Sequence, residues 1–410
     1  MPRDINLDKY LKNDFIIDIL GVRRSGKTYL MYYIINKLKK GKNVIFLNFE
    51  NRKLWPLSET VLDGLLDFIY ENKLMEECGK VYLFLDEIQN VPNWERFARN
   101  LYDEFKGKIK IFVSGSSSKI GEKETASLIT GRHLSIKLFP LSFKEFLDFK
   151  KYETAGAEYS QRRKAVLLKL LEEYMEFGGF PEVALSSQKA EILNQYYIDI
   201  ISRDIMERYR IRESGVLDAL GKYMIANTGA LFSYWKTAKF FHNTLKLKVS
   251  TASIQSYAQY LENVFLVFSV PIFSYKIKEQ MQYPRKIYCI DTGLRNAVSF
   301  RFRENLGQIM ENAVFLGLKR LGSDIYYWKD SKHREVDFLV KEGLKVKQLM
   351  QVCYSLEDEK TKKREIASLV EAMKEFNLRS GLIITWDEEG EEIAEGRKII
   401  CKPLWKWLLE

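Results

Sequence analysis

Histidine and cysteine are scarce in this chain, three and four in 410 residues. So few imidazoles argue against a histidine-based metal centre or a nucleophile–histidine pair. Cys78, Cys289, Cys353 and Cys401 are scattered, with no CxxC pair. They read as free, buried thiols, not as a zinc site or a disulfide framework. No apolar run approaches the roughly 20 residues that a membrane-crossing helix needs, and the first residues lack the make-up of a secretion signal. A cytoplasmic protein without a membrane partner is expected.

What is present is the composition of a folded chain. Hydrophobic residues make up 46%, which is that of packed globular proteins and excludes general disorder. The length exceeds one ordinary core, so several domains are expected. Lys and Arg number 65 against 55 Asp and Glu, a net charge of +10. That excess is modest; it favours polyanionic partners and serves solubility equally well.

The pattern that organises the rest is Gly21-Val22-Arg23-Arg24-Ser25-Gly26-Lys27-Thr28. Before it runs Asp14-Phe-Ile-Ile-Asp-Ile-Leu20, short and apolar, the mark of a buried strand. After it, from Tyr29, apolar residues recur at helical spacing. Strand, glycine-bounded loop and helix together predict a phosphate-binding loop. Gly21 and Gly26 let bare backbone N–H groups approach a triphosphate, and the helix N-terminus adds donors and partial positive charge. Lys27 is expected to reach the β- and γ-phosphates, and the Thr28 hydroxyl to sit on Mg²⁺.

Three later stretches complete the predicted site. Asn43–Phe49 reads as a second buried strand, followed by Glu50, which is either a strand-end cap or a contact to the nucleotide. The apolar run Val81–Leu85 ends in Asp86-Glu87. Asp86 is the expected Mg²⁺ residue and Glu87 the base that orients and deprotonates the attacking water. A further strand from Ile109 ends in Ser114, with Ser116 and Ser118 beyond it, either placed to sense the γ-phosphate or forming an ordinary Gly/Ser loop. Arg132 is expected either to stabilise transition-state charge, within the chain or on a neighbouring subunit, or to form a surface salt bridge.

These motifs, with Trp94 and Phe139-Pro-Leu-Ser-Phe143, resemble the archaeal and bacterial AAA+-like ATPases, and the resemblance covers nearly the whole chain. In that family an ATPase domain is coupled to a C-terminal region of unknown function. The resemblance implies that Lys27, Thr28, Asp86 and Glu87 serve ATP and Mg²⁺. It also implies that the breaker Phe177-Gly-Gly-Phe-Pro181 belongs to a helical lid. The short lead before the loop offers little to recognise the adenine.

Residues 215–275 read as three helices and a strand pair, the order of a winged helix. The third helix carries Ser253, Gln255, Ser256 and Gln259, with Lys236, Lys239, Lys246 and Lys248 nearby, a surface for double-stranded DNA or for a protein. The C-terminal third looks like the restriction-endonuclease-like fold. Glu311 and Asp337 fit its metal-binding carboxylates and Gln351 its third place. Cys353 stands where a catalytic lysine belongs, and Lys347 is a candidate migrated lysine. A degenerate domain is expected.

The expected fold is therefore α/β: a P-loop core over 1–150, a lid over 151–213, a winged helix over 214–283, and an endonuclease-like domain over 284–410. The expected function is Mg²⁺-dependent ATP hydrolysis driving a conformational change, with DNA, a protein partner or a second copy of the chain as partner. Its rivals are a nucleotide-gated switch with little turnover and an ATP-dependent nuclease.

Overall fold

The computed structural model describes residues 3–38, 43–77, 79–115, 131–154, 160–211, 214–299 and 305–410. The chain forms two compact units, Met1–Phe139 with Asn263–Phe265, and Pro140–Glu262 with Leu266–Glu410. The change of unit comes ahead of the expected cut at 150. The reason is the helix Phe143–Phe149, closed by a capping box between Ser142 and Glu145, which packs on the helices Gln161–Phe177 and Pro181–Leu185 of the second unit.

In the first unit, five strands lie in the order β2-β3-β4-β1-β5. They are β1 (Ile16–Leu20), β2 (Asn43–Asn48), β3 (Val81–Asp86), β4 (Ile109–Gly115) and β5 (His133–Lys137). All neighbours are parallel, so each connection must cross over a sheet face. The helix Lys27–Leu38 turns Leu30, Met31, Ile34 and Leu38, three and four apart, toward Ile17, Ile19, Tyr82, Phe84 and Phe112. Phe84 and Phe112 are register partners and stack at 4.6 Å. The other face buries Leu83, Leu85, Ile111 and Val113 under Leu65, Ile69, Trp94 and Leu101. Coverage on both faces explains why these strands are apolar without alternation. It also gathers the carboxyl ends of all five strands along one edge, where ligands of such sheets bind.

The second unit holds two sheets. A small antiparallel sheet has β6 (Leu231–Phe232) and β7 (Val267–Val270) on either side of β8 (Arg285–Cys289). Its helices are Ser214–Ala226, Tyr234–Asn243 and Thr251–Asn263. The central strand β8 lies beyond the expected 214–283 segment, so a boundary there separates paired strands. The larger sheet runs β13-β14-β12-β11-β10-β9, built from β9 (Asp324–Lys329), β10 (Glu335–Glu342), β11 (Lys345–Val352), β12 (Ser380–Thr385), β13 (Gly390–Ala394) and β14 (Arg397–Pro403). Its β9–β10–β11 part is antiparallel, and β11, β12 and β14 are parallel. The helix Glu359–Glu375 covers one face through Leu369, Val370 and Met373.

Two sequence motifs far apart in the chain lock this unit. The buried Asp291 carboxylate accepts from Gly179 N at 2.7 Å and Leu294 N at 2.9 Å. Gly179 O in turn accepts from Leu141 N at 2.6 Å, and Arg320 donates to the carbonyls of Pro140 and Leu141. Gly178 has φ +74°, and a Cβ there would lie 1.9 Å from Asp291 Oδ1. Glycine is thus required on both conformational and steric grounds. Gly64 differs: it sits inside the helix Thr60–Glu71 with nothing near its missing side chain. Urea unfolding of Gly178→Ala is expected to show the second unit destabilised by roughly 3 kcal/mol or more. Gly64→Ala is expected to stabilise the first unit by about 0.5–1 kcal/mol.

Candidate functional site

The loop from Gly21 to Thr28 leaves β1 and enters the helix Lys27–Leu38 at the carboxyl edge of the sheet. Gly21 is pressed against the residue that follows β5, since a Cβ on it would lie 2.2 Å from Leu138 O. Arg24 and Gly26 both have positive φ, +68° and +98°, and Ser25 N donates back to Val22 O at 3.2 Å, which curls the loop. Lys27 is buried, and its Nζ reaches back to the carbonyls of Gly21 (3.1 Å) and Val22 (3.3 Å). Ser25 is fully buried, and its Oγ has no hydrogen-bond partner. Arg23 lies 3.9 Å from Glu50, so Glu50 pairs with the loop and not with the acidic strand. Tyr29 is largely exposed, its ring edge-on to Tyr32 at 6.3 Å.

Asp86 is the hub. The β2–β3 register sets it beside Asn48, and Asn48 Nδ2 donates to its Oδ2 at 3.0 Å. Thr28 Oγ1 donates to the same oxygen at 2.8 Å. Ser114 Oγ donates to the other oxygen and accepts from Glu87 N at 3.1 Å. Burial pushes the Asp86 carboxyl above its ordinary value, against the opposing bonds from Ser114 and Thr28. Glu87 adopts the left-handed conformation, φ +54°, a strained state that recurs at functional positions. Its Oε2 accepts from Gln89 Nε2 at 2.5 Å, which fixes the half-buried carboxylate.

The donor set fits a nucleoside triphosphate with Mg²⁺. An orphaned buried hydroxyl, an ammonium folded over the loop, and a threonine hydroxyl bonded to an aspartate are hard, phosphate-seeking and Mg²⁺-seeking groups. Lys27 and the loop amides would hold the phosphates, and Thr28 and Asp86 the ion. When bound, the ion supplies charge neutralisation on the phosphoryl oxygens.

Of the predicted residues, the structure brings together the loop, Asp86, Glu87 and Ser114. Ser116, Ser118 and Cys78 lie outside the described residues. Arg132 does not join the site, which corrects the expectation of a catalytic role within the chain. It precedes β5 at the amino edge of the sheet, where its carbonyl accepts from Ile16 N, and its Nε donates to Asp103 at 2.7 Å. A strand of this length separates the two edges by about 15 Å. Asn48 and Arg3 were missed. Arg3 donates to Ser25 O (3.1 Å) and Phe139 O (2.5 Å), so the short lead braces the loop. The one sequence signal for Asn48 was an amide ending an apolar strand.

In the second unit Glu311, Asp337 and Gln351 also come together. Asp337 N donates to Gln351 Oε1 at 3.1 Å, and Gln351 Nε2 donates to Glu365. The lysine among them is Lys286 of β8, whose Nζ lies 3.0 Å from Glu311 and 2.8 Å from Asp337. Burial pulls its pKa down, but Asp337 and Glu311 outweigh that and hold it well above the ordinary lysine value. Lys347 is exposed and paired with Glu342 at 2.8 Å. Cys353 follows β11, its thiol donating to Ser355 O and pushed up to about 11 by burial. Neither residue supplies a cation to the carboxylates. Among the described residues, no group of three His, Cys, Asp or Glu is arranged to hold a metal ion, and no helix is long and apolar enough to cross a membrane.

A loop of this kind, faced by an acid–acid pair one strand removed, marks a P-loop nucleotide-binding protein of the AAA+-like class. Comparison with known sequences agrees. The family described as "AAA domain" matches residues 13–147. Two domains of unknown function match residues 168–305 and 306–406. An uncharacterized protein of Methanocaldococcus jannaschii is 40% identical, covering 99% of this chain and 90% of the relative. An uncharacterized protein of Haemophilus influenzae is 31% identical, covering 82% of each. The chain belongs to this AAA+-like P-loop ATPase family, with its C-terminal domain of unknown function. Among solved structures, the Thermotoga maritima RuvB Holliday junction branch migration motor aligns at TM-score 0.31 and 16% identity, over 66% of this chain and 87% of that one. C. elegans PCH-2 aligns at 0.30 and 12%, over 49% and 58%.

A carboxyl held above its ordinary pKa weakens the fold as pH rises through that value. Asp86→Asn is therefore expected to keep or raise the unfolding midpoint of the first unit at pH 7.5. The same variant is expected to lose the Mg²⁺-dependent rise in midpoint that ATP gives the wild type, as read by thermal melts with and without the ion.

Proposed function

We propose that this chain is a Mg²⁺-dependent ATPase in which Lys27 and the loop amides bind ATP, Thr28 and Asp86 hold the ion, and Glu87 is the general base. The observation that carries it is the shared carboxylate of Asp86, bonded by Thr28 Oγ1 of the loop at 2.8 Å and by Ser114 Oγ, with Glu87 next in sequence. Ser114 touches both acids, through its hydroxyl to Asp86 and from Glu87 N. It is the natural link between the γ-phosphate side and the base. Gln89 holds the Glu87 carboxylate, and its release on nucleotide binding would free the base to meet water. Arg132, paired with Asp103, has no part in hydrolysis within its own chain; a role on a neighbouring subunit requires a homo-oligomer.

Nucleotide turnover is proposed to change the conformation of the second unit, and the partner of that change is proposed to be double-stranded DNA. Support comes from the element order helix, β6, helix, helix, β7, a short helix (Ile277–Gln282), β8, which resembles that of a winged helix apart from the short helix between the last two strands. Gln255, Ser256 and Gln259 on the third helix are exposed, as are Lys236, Lys239, Lys246 and Lys248. Amides and hydroxyls read base edges, and lysines neutralise phosphates.

Steady-state hydrolysis tests both parts. Glu87→Gln is expected to lower kcat by about 10²- to 10⁴-fold with ATP affinity retained, and Lys27→Ala to remove both. Wild type that binds ATP but hydrolyses it no faster than these variants would make the chain a switch. Duplex DNA is expected to stimulate the wild-type rate at low salt and to lose that effect at moderate salt. A rate indifferent to DNA at both salts would transfer the partner role to a protein.

A further inference from the structure

Glu311 on the helix Leu306–Arg320, and Glu335 and Asp337 on β10, each send one oxygen to a common point. Lys286 Nζ occupies that point, at 3.0, 2.9 and 2.8 Å respectively. An ammonium has three N–H donors and no acceptor; here it donates to Glu311 Oε1 and Asp337 Oδ1, and Glu335 Oε1 lies beside it as an ion-pair partner. The lysine side chain is 3% exposed. Other oxygens of the cluster are also engaged. Asp337 Oδ2 accepts from Val352 N at 2.9 Å, Glu335 Oε2 from Lys329 at 3.2 Å, and Glu311 Oε1 also from Tyr288 at 2.7 Å. The register of β10 shifts between Val336 and Leu339, an irregularity of the kind that re-aims a side chain, and Asp337 lies inside it.

Three carboxylates converging on one point are mutually repulsive; as they stand around Lys286 they are not arranged to hold a metal ion, although carboxylate oxygens are the ligands that a divalent cation takes. Here the cation arrives on a strand of the other sheet. β8 is fastened at the same place by more than charge. Asn312 brackets Cys289, accepting from its N–H at 2.8 Å and donating to its carbonyl at 3.1 Å. The Tyr288 ring stacks on Phe315 at 4.3 Å and meets Phe338 of β10 at 5.6 Å.

We propose that the Lys286 ammonium is a built-in substitute for a divalent cation. It docks β8 onto the helix Leu306–Arg320 and β10, and it excludes metal from the carboxylates for as long as β8 remains there. The pocket is thus a closed joint between the two sheets of this unit, not a cleavage centre.

The test uses the full chain without nucleotide and follows the unfolding midpoint of the second unit, with Mn²⁺ as the probe. Lys286→Met leaves the buried carboxylates of Glu311 and Asp337 without their cation, beside the half-buried Glu335, which keeps Lys329. Its midpoint at pH 8 is expected to fall by about 10 °C. Millimolar Mn²⁺ is expected to restore much of that loss, to leave wild type unshifted, and to do nothing once Asp337→Asn is added to Lys286→Met. If Lys286→Met does not fold, Lys286→Met with Glu335→Gln, which keeps two carboxylates for the ion, carries the same comparison. The proposal is overturned by a fall that Mn²⁺ does not restore, because Lys286 is then an ordinary ion-pair partner. It is equally overturned by a wild-type chain that Mn²⁺ stabilises through Asp337, or by a Lys286→Met midpoint equal to wild type.

Discussion

One buried carboxylate sets the geometry on which the nucleotide site depends. Asp86 receives Thr28 from the helix after β1, Asn48 from the end of β2 and Ser114 from the end of β4. A burial this complete disfavours the charged form, so the three donors are what make a carboxylate tolerable there. In return it fixes three strand ends and the start of a helix relative to one another. The phosphate loop is held from the other side by the close approach of Gly21 to Leu138 and by Arg3 on Ser25. A Mg²⁺ ion placed at Thr28 and Asp86 would take up the negative charge that the fold otherwise accommodates by hydrogen bonding alone.

The second unit solves a similar problem twice. Asp291 is buried and pushed up to about 6 by that burial, and backbone N–H groups of Gly179 and Leu294 hold it down. Glu311, Glu335 and Asp337 are compensated by Lys286 instead. Both devices use a buried acid to tie segments more than a hundred or some twenty-five positions apart, Gly179 to Asp291 and Lys286 to Glu311. Buried charge of this kind contributes specificity more dependably than stability. It dictates that β8 sits against one helix and one strand and nowhere else.

How much of this the sequence disclosed follows from how local each feature is. The phosphate loop and Asp86-Glu87 are contiguous patterns on strand ends, so residue type and spacing sufficed. The α/β class was legible for the same reason. For Arg132 a catalytic role and a surface salt bridge both stayed open, because the choice depends on which end of β5 it occupies; its pairing with Asp103 is the salt bridge. Asn48 escaped because only the pairing of β2 with β3 sets it beside Asp86. Lys286 was not legible because it comes from another sheet, 51 residues from Asp337, whereas the endonuclease-like pattern places its lysine on the strand of Gln351. Glu311, Asp337 and Gln351 lie together, but the lysine among them comes from β8 and not from the strands that carry them.

The central claim is that the loop and Asp86 together hold ATP with Mg²⁺. Titration calorimetry of the wild-type chain with ATP, in Mg²⁺ and again in excess EDTA, tests it most directly. The account predicts one ATP per chain, with affinity at least tenfold weaker when the ion is removed. No heat in Mg²⁺ from folded protein, or the same affinity in EDTA, would contradict it.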